Sequence, residues 1–179
     1  MVYDALAESV TLIEDGLTRD AMRLSRRRRH AAMAVDVDGN VACTLFLRRG
    51  VGQSWLDTHL LVHQHGSWVI LGGGGGSVED DLLADRPTRA ALGSRMLLEG
   101  SGAAARNGDR WSPWGSRWVC QAKLRVSDEV KTVIVGQRTL QAPRHGHLVI
   151  VWASRRSPIA IAHGVDGRPL TRYHLPPPR

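Results

Sequence analysis

From Trp118 to Val126 the chain reads Trp-Val-Cys-Gln-Ala-Lys-Leu-Arg-Val, apolar and polar residues in turn. Side chains on a strand point to opposite faces at each step, so this alternation marks a half-buried β-strand and excludes an amphipathic helix. The same period of two runs through Ala32–Val37 and Asn40–Leu47, and short apolar runs recur at Thr58–Val62, Trp68–Leu71, Val130–Val135, His147–Trp152, Ile159–Ala162 and Leu170–His174. Turn formers separate them: Asp38-Gly39, His65-Gly66, Ser127-Asp128, Pro143, Ser157-Pro158 and Asp166-Gly167. Around nine short strands at regular intervals predict a mainly β, antiparallel β-sandwich, immunoglobulin-like or jelly-roll-like. Asp38-Gly39 suits a type I′ hairpin, which needs positive φ at both central positions. Leu148–Trp152 is apolar on both faces and is expected to be a central strand.

The first residues follow a different period. Tyr3, Leu6, Val10, Ile13 and Leu17 recur at spacings of three and four, which predicts an N-terminal amphipathic helix within 1–24. The stripe is too short for a coiled coil, but it could pack on the body or pair with a second copy. Arg26-Arg27-Arg28-Arg29 follows as a basic knot. The expected organisation is therefore a helix and basic segment over 1–30, a sandwich over 31–175 and a proline-rich tail over 176–179. Within the sandwich, 72–116 is expected as a flexible or irregular insertion with one or two short helices.

Five consecutive glycines, Gly72–Gly76, open that insertion. No lysine follows them, so a Walker loop is excluded, and Ser77 stands where a dinucleotide fingerprint needs its third glycine. Ser77-Val78-Glu79-Asp80 reads as a helix start, whose carboxylates would repel a phosphate. The run is expected as a hinge or permissive turn. A further reading is that it lets a neighbouring backbone or a partner approach closely.

Two His-x-His pairs, His63/His65 and His145/His147, carry the metal alternative. Residues two apart on a strand share a face, so each pair could give two imidazoles to one divalent transition metal. That reading is a metal-dependent enzyme activating water. Each pair also falls beside a turn signal, which favours solvated histidines and no cofactor. Asp36-Val37-Asp38-Gly39-Asn40 echoes a calcium loop but lacks the distant glutamate. No nucleophile elbow or His-Glu-x-x-His motif occurs.

The net charge is +7, and only Lys123 and Lys131 among the 24 basic residues are lysines. This balance favours anionic partners. Arg26–Arg29, Arg48-Arg49 and Arg155-Arg156 could contact phosphates. Arg110, Trp111 and Trp114 lie in a polar segment, where indoles beside a guanidinium would make an interface hot spot. Trp68, Trp118 and Trp152 sit in strand patterns and are expected in the core. Cys43 and Cys120 are expected as reduced core thiols. Cys43, Trp55 and Cys120 follow the Cys…Trp…Cys order of immunoglobulin sandwiches, but Trp118 replaces the tyrosine expected two before the second cysteine. The order supports a sandwich and not that family.

The N-terminus lacks a basic segment before an apolar run, and no stretch approaches the ~20 apolar residues of a membrane span. A soluble cytoplasmic protein is expected. The leading functional reading is a non-catalytic binding module for a protein or an anionic polymer, with Arg26–Arg29, Arg110, Trp111 and Trp114 as its contact surface. The metal enzyme is the first alternative, and nucleic-acid binding through the arginines is the second.

Overall fold

A computed structural model describes residues 3–17, 24–78, 81–106 and 117–177. Helix α1 spans Ala5–Asp15. The Asp4 carboxylate caps it by accepting from the Leu6 and Ala7 N–H groups, and Gly16, at φ 69°, ends it. This capping satisfies donors that the first turn leaves without partners. The buried face differs from the expected stripe. Ser9 and Leu12 are buried, whereas Leu6 is 40% exposed. A polar anchor on Ser9, described below, rotates the helix by about one position.

Four strands form an antiparallel meander: β1 (His30–Asp38), β2 (Val41–Arg49), β3 (Ser54–Gln64) and β4 (Ser67–Val78). The hairpin at Asp38 turns on Gly39 and Asn40, and of these only Gly39 has positive φ, 60°. That is the pattern of a type II′ turn, not the type I′ turn expected. The type I′ pattern occurs at the next hairpin, where His65 (φ 52°) and Gly66 (φ 82°) are both positive.

The glycine run is neither hinge nor turn. Gly72–Gly76 lies within β4, paired to β3 residue by residue from Leu60↔Gly72 to Leu56↔Gly76. Ser77 and Val78 continue the strand, so no helix starts there. Two of these glycines are required by the neighbouring strand. A Cβ on Gly73 would lie 2.6 Å from the Thr58 carbonyl oxygen, and one on Gly75 would lie 2.5 Å from the Asp57 carboxylate.

The rest of the chain supplies a four-residue helix, α2 (Arg89–Leu92), and seven strands: β5 (Met96–Ala105), β6 (Trp118–Val126), β7 (Thr132–Val135), β8 (Arg138–Gln141), β9 (His147–Trp152), β10 (Ile159–His163) and β11 (Pro169–His174). They form two further antiparallel sheets, ordered β5-β6-β9 and β11-β10-β7-β8. The fold is mainly β, sandwich-like, with an N-terminal helix. The three-stranded sheet lies between the other two. Val119, Val149 and Val151 pack with Met33, Cys43, Leu45 and Leu60 of the β1–β4 sheet. Cys120, Ala122, Leu124, Ile150 and Trp152 pack on the opposite side with Val133, Val135, Ala160 and Ala162.

All of β9 is buried, as its two apolar faces predict, although it ends its sheet instead of occupying the middle. Cys43 and Cys120 are free thiols in different cores. Trp152 is buried and Trp68 half-buried, but Trp118 is 41% exposed, at the start of β6 and two residues before its pairing with β9 begins at Cys120. Among the described residues no helix is long and apolar enough to cross a membrane.

Candidate functional site

The basic knot forms a short loop between α1 and β1. Ser25 closes it: its hydroxyl accepts from the Arg28 N–H at 3.0 Å, and its own N–H donates to the Arg28 carbonyl at 2.9 Å. Arg49 N–H donates to the Arg29 carbonyl at 2.8 Å and ties the loop to β2. Arg26–Arg29 are all exposed, and none has a carboxylate partner among the described residues. They form one wall of a cleft of about 730 Å³ whose other wall is α1. Its floor is apolar, with Leu12, Ala31 and Phe46, and Glu8 and Asp15 stand on the helix side. Glu8 is engaged by His30 at 3.1 Å. The cleft therefore offers a mixed surface: cations at the rim, apolar contact below and two carboxylates opposite.

A second constellation lies where α1 crosses the outer face of the β1–β4 sheet. Ser9 Oγ is 2.9 Å from Thr44 Oγ1 and 3.1 Å from His59 Nδ1. Thr44 and His59 are cross-strand partners, as are Phe46 and Asp57. Arg48 pairs with Asp57 and lies 4.9 Å from the Tyr3 ring centre. Burial holds the His59 imidazole below its ordinary value, against the pull of Asp57. Burial, helped by Asp57, pushes the Tyr3 phenol up.

Ser9 and His59 have the composition of a nucleophile–base pair. However, Ser9 is completely buried beneath the helix and shared with Thr44, so a substrate carbonyl cannot reach its oxygen. The contact anchors α1 instead. It was not legible beforehand, because nothing in the spacing of Ser9, Thr44 and His59 announces that a helix will cross at that point.

The two histidine pairs stand in different environments. His63 and His65 are exposed at the β3–β4 hairpin, His63 edge-on to Trp68 with 5.1 Å between ring centres. His145 and His147 are buried, contrary to the expectation of solvated turn histidines. The turn carrying them is covered by Arg86, whose side chain packs against Gly146, and by β5. His145 Nδ1 accepts from the His147 N–H at 3.1 Å, and His147 Nδ1 lies 2.9 Å from Glu99 Oε2. Burial alone would raise the Glu99 carboxyl, but the contact with His147 and the charges of His147, Lys123 and Arg125 hold it below its ordinary value. Among the described residues no group of three or more His, Cys, Asp and Glu side chains is placed to hold a metal ion, so the four histidines do not gather into one site. Arg110, Trp111 and Trp114 lie outside the described residues.

The chain matches no protein-family model, no curated protein and no solved structure.

Proposed function

We propose that this chain is a non-catalytic binding module, and that its partner is an acidic protein segment seated in the cleft between α1 and the Arg26–Arg29 loop. One observation carries this reading: four consecutive exposed arginines without carboxylate partners among the described residues line an apolar-floored cleft. Guanidinium groups recognise carboxylates with two parallel hydrogen bonds, and a net charge of +7 steers acidic partners toward the surface. The cleft's composition favours a protein segment over a nucleic acid. The floor residues Leu12, Ala31 and Phe46 suit a segment that intersperses apolar side chains with acids, whereas a phosphate backbone offers no apolar group to them. The seclusion of Ser9 supports binding instead of hydrolysis.

The test is fluorescence anisotropy with two labelled probes, a peptide mixing glutamate and leucine and a single-stranded oligonucleotide. Each is titrated from low to moderate salt. The expected result is peptide binding that weakens with salt and is lost when Arg26–Arg29 are all replaced by alanine. Tighter oligonucleotide binding with a steep salt slope would transfer the surface to nucleic acid. Binding to neither probe would remove the proposal.

A further inference from the structure

The cleft between α1 and the Arg26–Arg29 loop holds charges of both signs, and one of them can be cancelled. A helix turns once in about 3.6 residues, so positions 8, 11, 12 and 15 share one face of α1. Glu8, Thr11, Leu12 and Asp15 all line the cleft. Glu8 therefore presents a carboxylate to the space that four exposed arginines border from the other side. An acidic occupant meets attraction from one wall and repulsion from the other.

His30 stands between the two walls. It follows Arg29 directly, opens β1 and lines the same cleft. Its Nε2 lies 3.1 Å from Glu8 Oε2, and the two side chains are 28% and 30% exposed. Protons reach a pair at this depth, and its charge still acts on a neighbour in the cleft. The imidazole packs against the Tyr3 ring, 5.2 Å between centres. The cations nearest in the chain and the sheet are Arg28, Arg29 and Arg48, the last being the β2 partner of His30 and itself paired with Asp57 of β3. His59, 6.1 Å from the far side of the Tyr3 ring system, is engaged by Ser9 beneath the helix and does not line the cleft. Among the described residues Glu8 is the only carboxylate paired with His30. Facing a carboxylate, Nε2 carries a hydrogen and donates it in the neutral ring as in the cation. The contact therefore survives titration of the ring, and only the charge of the pair changes. Histidine is the side chain suited to change charge between roughly pH 5 and 8. With a neutral ring the pair bears one net negative charge. With a protonated ring it bears none, and the guanidinium wall is unopposed at that point.

We infer that His30 is a proton-operated gate on this cleft: by cancelling Glu8, its protonation strengthens the hold on an acidic protein segment, a role that rests on the cleft being the binding site proposed above. Coupling between two sites is reciprocal, so a bound acidic segment favours the protonated ring and binding takes up a proton. The segment's own carboxylates titrate near about pH 4, below the range in which the gate works.

The probe is the labelled glutamate–leucine peptide, titrated by anisotropy at about pH 6 and about pH 8 in the same low salt. The expected result is binding about fivefold tighter at the lower pH. His30→Gln keeps a donor but no titrating charge, and should bind weakly and equally at both. Glu8→Gln removes the opposing carboxylate, and at the higher pH should bind about as tightly as the unaltered protein does at the lower. Calorimetry of the unaltered protein in buffers of different ionisation enthalpy should show proton uptake on binding, a readout that needs no variant. Equal or weaker affinity at the lower pH, a pH dependence that survives His30→Gln, or binding without proton uptake would overturn the gate while leaving the cleft as a binding site. Binding at neither pH would remove the binding reading itself, and the gate with it.

Discussion

Asp36 of β1 and Arg138 of β8 meet at the open edge of β9, each bonded to the other and to the same residue, Val151. Asp36 Oδ2 accepts the Val151 N–H at 2.8 Å, and Arg138 donates to the Val151 carbonyl at 3.0 Å. An ion pair thus takes the place of a neighbouring strand for one buried residue. It also joins all three sheets. Burial pushes the Asp36 carboxyl up despite the Arg138 charge, so the pair is held in a poorly solvating environment. Asp36→Ala leaves a guanidinium and a backbone donor without partners. It should cost about 3–5 kcal/mol, the range for breaking a buried pair. Urea denaturation of the variant checks this, and a loss below 1 kcal/mol would mean that water replaces the carboxylate.

The Tyr3 hydroxyl is buried and has no hydrogen-bond partner among the described residues. The ring packs 5.7 Å from Phe46 and 5.2 Å from His30, contacts that phenylalanine would keep. Tyr3→Phe should therefore stabilise the fold by about 1 kcal/mol, because it removes a desolvated group that nothing compensates. A lower urea midpoint at unchanged slope would show that the hydroxyl has a partner in solution.

Adjacent glycines in β4 should respond in opposite directions. Gly73→Ala drives a methyl group into the Thr58 carbonyl and should destabilise by about 1–3 kcal/mol. Gly74→Ala meets open space and should stabilise by about 0.5–1 kcal/mol through lost chain freedom in the unfolded state. Thermal melts of the two variants, compared side by side, decide the point. Equal effects would contradict the strand pairing.

Stability should fall as the solution is acidified from the ordinary histidine value of 6.5 toward the lower folded value of His59. In that window the unfolded chain takes up a proton at this residue and the folded chain does not, so acid favours unfolding. His59→Gln removes this component, and the slope of stability against pH should flatten. An NMR titration of the His59 ring that gives an ordinary value would refute it.

Cys43 is fully buried, and burial holds its thiol well above the ordinary value. A thiolate-directed reagent should label it only as fast as the protein unfolds, because neither the anion nor the path to it exists in the folded state. Labelling that runs faster than global unfolding would expose a local opening of the β1–β4 core.

Much of the fold was legible from alternation alone. Trp118–Val126 and Ala32–Leu47 announce their strands, because alternate residues there are apolar enough to require burial. The glycine strand was not legible, since a periodicity argument needs side chains and Gly72–Gly76 has none. β5 was hidden for a related reason: Gly100–Ala105 is built of small residues at the end of a sheet, where little burial selects them. The sites divide in the same way. Arg26–Arg29 stood out as a charge run and do line a cleft. Ser9 with His59, and Asp36 with Arg138, are meetings between distant elements. Each residue is ordinary in its local context, and only the crossing of a helix or the packing of three sheets brings them together.

The central sheet gives the two cores a shared boundary. β9 sends Val149 and Val151 into one core and Leu148, Ile150 and Trp152 into the other, and β6 sends Val119 into the first and Cys120, Ala122, Leu124 and Val126 into the second. Neither core can loosen without exposing a wall of its neighbour, so the three sheets should melt in one cooperative transition. Reaching that arrangement requires β1 to find β9 across more than a hundred residues of chain, before either side of the central sheet is dry. Such a molecule assembles slowly for its size and, once assembled, resists piecemeal opening.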